Sequence, residues 1–403
     1  MLDATATLQP PLLSQQGSAR IAARSALWNQ PGPEPVLSVV VPVFRTRAWL
    51  RAALNSLVPA MPRQVEIIVV HDGGDDGALE LACEWVRNAP LRALVLDQAN
   101  RGLSAARMAG AAFATGQCLA FLDSDDIADI AVLLRMAGDV RERDCDLVLC
   151  RSAVLDGEAL TAAPFYDAWL WDRILQGAEF RRVNVTREPR LLRLEPNANP
   201  RVMRRSFFEA SGLEFPEGRL FEDMPTHVRA LLATQRVGLR GEVGYLYRVN
   251  RPGKITDERS VRRMDAIVTC RMAVRAACQA AVEPAAGAEL SLALLRMLFW
   301  CGQNITAAHR RRFFTEAVAI FAAMPGEWLA VAALSGLSGR DATLLAALRH
   351  GDAALLEDLA IPRRPRLLPV LRFLAGRHGA PGRAHARAWL RYRLAPLFRR
   401  RSA

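Results

Sequence analysis

Gly116–Asp126 reads GQCLAFLDSDD, an apolar run set directly against three carboxylates within four positions. The run predicts a strand buried on both faces, and such strands belong to parallel α/β sheets. The acids then fall at the strand's carboxyl end, the edge where open α/β sheets bind ligands. Asp123 and Asp125, in an Asp-x-Asp spacing, can share one hard divalent cation with phosphate oxygens. A nucleotide pyrophosphate suits that chemistry. Taken alone, the same letters serve as a turn and a helix cap, for which Asp and Ser are well fitted. Other polar clusters just past apolar strands shift the balance.

Upstream, Val36 to Phe44 (VLSVVVPVF) predicts a first strand, followed by a helix from about Arg47 to Leu57. A second strand, Val65 to Val70, runs into His71, Asp72, Gly73, Gly74, Asp75 and Asp76, with a helix from near Ala78. Leu91 to Leu96 gives a third, after which Asn100-Arg101-Gly102 opens a helix reaching about Ala114. Downstream, a helix leads to a fifth strand at Asp146 to Val154. This alternation predicts a mostly parallel sheet with right-handed crossovers. The turns after strands two, three and four therefore share one edge. There Asp72 can accept from a nucleobase N–H or a ribose hydroxyl, or serve only in an Asp-Gly turn. Arg107, one turn into its helix, can pair with a pyrophosphate or be a plain surface arginine.

The chain of 403 residues is 51% hydrophobic and 23% charged, a globular balance with room for one large domain and a smaller one. Its net charge of +12 suits an acidic partner. Nearly all the positive charge is arginine, a usage that a GC-rich genome also produces, and Lys254 is the sole lysine. Seven scattered cysteines with no C-x-x-C pair read as thiols of a reducing compartment. No uninterrupted apolar run approaches the ~18 residues of a membrane span, and no basic start with an apolar core suggests secretion. The N-x-T triplets at Asn184 and Asn304 then carry no weight.

The stretch from Val36 to about Ile255 resembles the family 2 glycosyltransferases, inverting enzymes of the GT-A fold. The likeness rests on VVVPVF, IIVVHDGGDD, NRGLSAARMAG, FLDSDD and LFEDMPTHVRAL, in the family's order and spacing. His71 stands where the family often has an acid and Gly74 where it often has serine, which bears on base identity more than on reaction type. The resemblance implies an α/β, Rossmann-like nucleotide-diphospho-sugar transferase fold, with a mostly parallel sheet and a helical C-terminal appendix. It also implies nucleotide contacts from Pro42, Phe44, Asp72, Arg107, Asp123 and Ser124. Asp125 would be the leading ligand for Mg2+ or Mn2+, with Asp123 beside it. Asp223 matches the family's catalytic base; acids at a helix start are also favoured by the backbone dipole. Arg248, Arg251 and Lys254, in the loop YLYRVNRPGKIT, can fold over the pyrophosphate.

The expected domains are a 1–35 extension read as a loose arm or surface helix, a 36–260 catalytic domain, and a 261–403 helical region with a basic tail. Between the fifth strand and Phe215 the sequence is irregular; Tyr166, Trp169 and Trp171 can stack on sugar rings or fill the core, and Asn199 can contact the sugar. The tail, Arg363 to Arg400, suits either anionic lipid or a soluble basic helix pair. No nucleic-acid-binding motif accompanies the charge. The expected protein is thus a cytoplasmic bacterial enzyme, peripheral on the inner face of the membrane where the tail meets lipid, moving a sugar from a nucleoside diphosphate donor, expected to be a UDP-sugar, to a glycan or lipid-linked acceptor. A nucleotidyltransferase and a non-catalytic sugar-nucleotide or glycan-binding module are the alternatives.

Overall fold

Leu37–Val43 is buried at all seven positions and Val65–Asp72 at all eight, the pattern of strands covered on both faces. The structure, a computed structural model, describes residues 19–156, 162–251, 253–254, 257–337 and 339–361. The chain divides into two compact units, one ending at Glu188 but adding Leu194–Pro252, the other made of Pro189–Arg193 and the chain from Gly253.

The first unit holds the sheet. Its strands are β1 (Arg20–Arg24), β2 (Leu37–Val43), β3 (Val65–Asp72), β4 (Arg92–Gln98), β5 (Cys118–Phe121), β6 (Ile127–Ala128), β7 (Leu147–Asp156), β8 (Ala162–Pro164), β9 (Phe180–Val183), β10 (Arg201–Arg204) and β11 (Val237–Val249). The order is β1-β4-β3-β2-β5-β10-β7-β11-β6, with β8 on β7 and β9 on β11. Strands β4, β3, β2 and β5 run parallel, as the alternation predicts. Their carboxyl ends therefore share one edge.

Helices α1 (Arg47–Ser56), α2 (Ala78–Arg87), α3 (Leu103–Ala111), α4 (Ile130–Glu142), α5 (Ala168–Leu175), α6 (Arg205–Ala210) and α7 (Asp223–Leu232) join the strands. Val39, Val41, Ile67 and Val69 share a core with Leu50, Leu54, Ala82 and Val86 of α1 and α2. Each such side chain contributes roughly 1.5–3 kcal/mol by leaving water. The opposite face meets α3 at close range: a Cβ on Gly110 would lie 2.3 Å from Val40 Cγ1 and 3.0 Å from Val70 Cγ2. Glycine here lets α3 sit directly on the sheet.

The sheet has strands beyond the five expected, and Tyr245–Val249, read as part of a loop, lies on β11. Arg20–Arg24, within the segment read as a loose arm or surface helix, is a strand antiparallel to β4. Arg201–Arg204 enters antiparallel between β5 and β7, so it separates the parallel block β4-β3-β2-β5 from the parallel pair β7 and β11. Strands β1 and β10 are short and arginine-bearing, and what makes them strands is a long-range partner that local pattern does not reveal.

The second unit is helical: α8 (Asp265–Gln279), α9 (Pro284–Asn304), α10 (Ala307–Ala322), α11 (Gly326–Leu334), α12 (Gly339–Arg349) and α13 (Ala353–Ala360). Helix α9 is long and apolar enough to cross a membrane by composition, but 67% of its apolar window is buried inside the protein, as in a core helix. The basic tail, Arg363 to Arg400, lies outside the described residues.

Candidate active site

Past Phe121 the chain turns through Leu122 and sets out four polar side chains with different tasks. Asp126 is 1% exposed; its carboxylate accepts from the Tyr245 hydroxyl and, at 2.7 Å, from Arg248 N–H. Burial pushes its pKa well up, and the neighbouring Asp125 and Asp123 charges add to this. Asp126 is thus an internal anchor. Ser124, also buried, shares a 2.7 Å hydrogen bond with Thr46. Asp123 and Asp125 are instead held by side chains from other elements, Arg107 and Asn199 for the first and Arg251 for the second.

Arg107 joins the site together. Its guanidinium is fully buried, yet Nη2 donates to Asp123 Oδ1 at 2.9 Å and Nη1 to both Glu222 Oε1 and Asp223 Oδ1 at 2.8 Å. The planar fork also lies 4.9 Å over the Phe215 ring. Burial alone would weaken the cation, but Asp223, Asp123 and Glu222 together raise its pKa. A residue expected to touch pyrophosphate therefore binds the first acid of the D-x-D pair to the two acids opening α7.

Those acids differ in environment. Burial, then Asp223, pushes Glu222 up to about 7. Asp223 is also raised, first by burial and also by Asp123; Arg107, Arg201 and a hydrogen bond from Ala198 N–H pull the other way. Its side chain keeps 21% exposure. The helix start was expected to weaken Asp223 as a base; burial outweighs that effect.

The loop before β10 completes this wall. Asn199 Nδ2 donates to Asp123 Oδ2 at 3.0 Å and to the Tyr245 hydroxyl at 2.8 Å. Glu195, which accepts from the Tyr166 hydroxyl, is raised to about 7 by burial, with Asp167 and Asp223 adding repulsion. Tyr166 and Trp169 are 59% and 39% exposed, whereas Trp171 is buried in the core at 3%. Glu195 and Tyr245 were not singled out from sequence; only a map of partners reveals them.

At the nucleotide end, Asp72 is 2% exposed and accepts from Gln98 Nε2 at 2.7 Å, Arg101 N–H at 2.9 Å and Gly102 N–H at 2.8 Å. It fastens the turn into α3 and keeps one lone pair of Oδ2 beyond these bonds. Pro42 pairs in register with Val70, and Phe44 just beyond it is 43% exposed. Beneath the turn, His71 Nδ1 meets Asp97 Oδ1 at 2.8 Å while its buried Nε2 has no hydrogen-bond partner. Arg248 donates from Nε to the Asp125 carbonyl at 2.9 Å and lies 4.7 Å over Trp49, so it supports the acidic turn from behind. Lys254 is largely buried and falls in the second unit.

A hard divalent cation needs several oxygen ligands. Asp125 and Asp123 offer carboxylates on one turn, and pyrophosphate oxygens with water can complete a shell. Among the described residues no group of three His, Cys, Asp or Glu side chains is placed to hold an ion. The residues fit a shared protein–nucleotide site, with one condition: Asp125 Oδ2 is covered by Arg251, whose Nε lies 2.5 Å away.

The mostly parallel sheet with acids at its carboxyl edge is the fold expected of the nucleotide-diphospho-sugar transferases. Residues 38–193 match the family model "Glycosyl transferase family 2". The chain is similar to the uncharacterized glycosyltransferase EpsJ of Bacillus subtilis, 30% identical over 227 residues, 55% of this chain and 63% of that one. The putative glycosyltransferase EpsH of the same bacterium is 37% identical over 122 residues, 30% of this chain and 34% of its own. The chain thus spans less than two thirds of these relatives. The crystal structure of S. aureus TarS 1–349 in complex with UDP-GlcNAc has the same fold, at a TM-score of 0.65 and 19% identity, over 80% of this chain and 90% of that one.

Proposed function

We propose that the protein is an inverting glycosyltransferase that moves a sugar from a nucleoside diphosphate sugar to a glycan or lipid-linked hydroxyl. The observation that carries this reading is the Arg107 bridge, which gathers the donor-side Asp123 and the acids of α7 around one guanidinium. Inversion needs a carboxylate opposite the leaving group, and Asp223 is partly exposed, oriented by Arg107 and raised in basicity. It would take the acceptor hydroxyl's proton as that oxygen attacks the anomeric carbon. The buried Arg107 holds the base in place, so geometry supplies part of the rate.

Asp72, Pro42, Phe44 and Ser124 would shape the nucleotide end, and Asn199 would face the transferred sugar. Asp125 and Asp123 would hold Mg2+ or Mn2+, which offsets charge on the departing diphosphate when bound. The TarS complex with UDP-GlcNAc supports a UDP-sugar as donor. Exposed Tyr166, which donates to Glu195, and exposed Trp169 suit the acceptor side, since aromatic faces stack on sugar rings. Cytoplasmic placement, with contact to anionic lipid through the arginine-rich tail, accords with an acceptor carried on a membrane.

The test is to incubate the protein with UDP- and GDP-sugars and identify the released nucleotide. Nucleoside diphosphate release that Asp223→Asn suppresses supports transfer. Pyrophosphate release would indicate a nucleotidyltransferase, and no release from any donor would favour a binding module.

A further inference from the structure

We propose that Arg251 is a donor-site residue that exchanges partners. It neutralises Asp125 while the site holds no nucleotide and moves to the donor's diphosphate when a divalent cation takes Asp125. This rests on the donor-site reading above.

The geometry is specific. Arg251 Nε and Nη2 both approach one oxygen, Asp125 Oδ2, the first at 2.5 Å. Each of the two side chains is only 10% exposed. Three carboxylates crowd this turn, and each has its own solution: Asp126 accepts from Tyr245 and Arg248 N–H, Asp123 takes Arg107, and Asp125 takes Arg251. Arg107 is locked, fully buried among three acids. Arg251 instead lies past the end of β11, directly after left-handed Asn250 at φ 56°. The root of that stretch is fixed, because Arg248 stays bound to Asp126 through its N–H and to the Asp125 carbonyl through Nε. The Arg251 side chain can therefore change partner while the loop's base holds.

A divalent ion on Asp125 and the guanidinium beside it repel each other at close range, so they compete for this one carboxylate. The guanidinium does not lose its charge, so it leaves as a cation and needs another anion. A diphosphate beside Asp125 offers paired oxygens that match the guanidinium fork. Arg251 would then add positive charge where the leaving group gathers negative charge, and hold the loop over the donor.

The experiment is calorimetry with Mn2+ alone, and with UDP in Mn2+ or EDTA, on wild type, Arg251→Gln, Arg251→Lys and Asp125→Asn. Without the repelling charge of its competitor, Arg251→Gln is expected to bind Mn2+ alone about tenfold tighter than wild type. The same variant should bind UDP in Mn2+ about tenfold more weakly, having lost a charge-assisted contact. Arg251→Lys should fall between the two, and Asp125→Asn should abolish the Mn2+ response. Opposite signs in one variant are not the mark of a merely structural arginine, whose loss would weaken both. Unchanged or weaker Mn2+ binding in Arg251→Gln overturns the exchange, as does unchanged UDP binding or no Mn2+ binding by any variant. If wild type binds UDP in EDTA as well as in Mn2+, the donor site stands and the exchange falls. If it binds neither UDP nor GDP under any condition, both fall.

Discussion

Arg107 and Asp223 stand 116 positions apart in the chain and meet through a 2.8 Å hydrogen bond, the guanidinium donating from Nη1. The same nitrogen serves Glu222, and its twin serves Asp123. One buried cation thus fixes the spacing between Asp123 and the two acids at the start of α7. Arg107→Ala is expected to leave three carboxylates without their common counter-ion and to cost about 3–5 kcal/mol in urea denaturation. Arg107→Lys supplies one point charge where a fork is needed. It should fold and lose turnover by roughly 10²-fold, the scale of an active-site misplacement of about 1 Å.

Asp223→Asn removes the proposed base without changing its shape. Turnover should fall by about 10²–10⁴-fold, while the Kd for UDP stays within about threefold of wild type. A parallel loss of UDP binding would place Asp223 in the donor site instead.

Glu222 links the site to pH. Burial raises its pKa to about 7, so the folded protein holds this proton more tightly than the unfolded chain. The stabilising contribution is then fully present below the ordinary glutamate range near ~4.3 and is lost as pH rises through about 7. Glu222→Gln keeps the neutral form. Its stability relative to wild type should grow between about pH 4.5 and 7.5, by on the order of 3 kcal/mol, in paired urea melts across that range. A constant difference would show that Glu222 titrates as an ordinary acid.

Gly110→Ala tests the packing that positions Arg107, since both lie on α3. The added methyl would meet Val40 at 2.3 Å and must push the helix off the sheet. A loss of about 1–3 kcal/mol is expected, with turnover falling more than UDP affinity because the Arg107 bridge shifts with the helix. Wild-type stability would mean that the sheet yields without strain.

The site's edge was legible because strand burial is a local signal: VVVPV, VEIIVV and CLAF announce themselves, and the acids follow each in sequence. The parallel order then places Asp72, Asp123 and Asp125 together. Partner choice was not legible. Arg107 reads as a phosphate contact until Glu222 and Asp223 are seen around it, and Asp125 reads as an open metal ligand until Arg251 is found on it. RIAAR and RVMR carry too many arginines to signal strands, and their pairing with β4 and with β5 and β7 depends on distant segments. Tyr245 stood in a stretch read as a loop, whereas it lies on β11 and its hydroxyl joins Asp126 to Asn199.

The most direct measurement of the central claim is calorimetric titration with UDP and GDP in Mn2+, on wild type and Asp125→Ala. The donor site built on β3, β4 and β5 predicts that wild type binds one of the two nucleotides in preference. Asp125→Ala should weaken that binding by about tenfold or more. Failure of wild type to bind either nucleotide, with or without Mn2+, would contradict the account and leave the D-S-D-D stretch as a turn held by its own ion pairs.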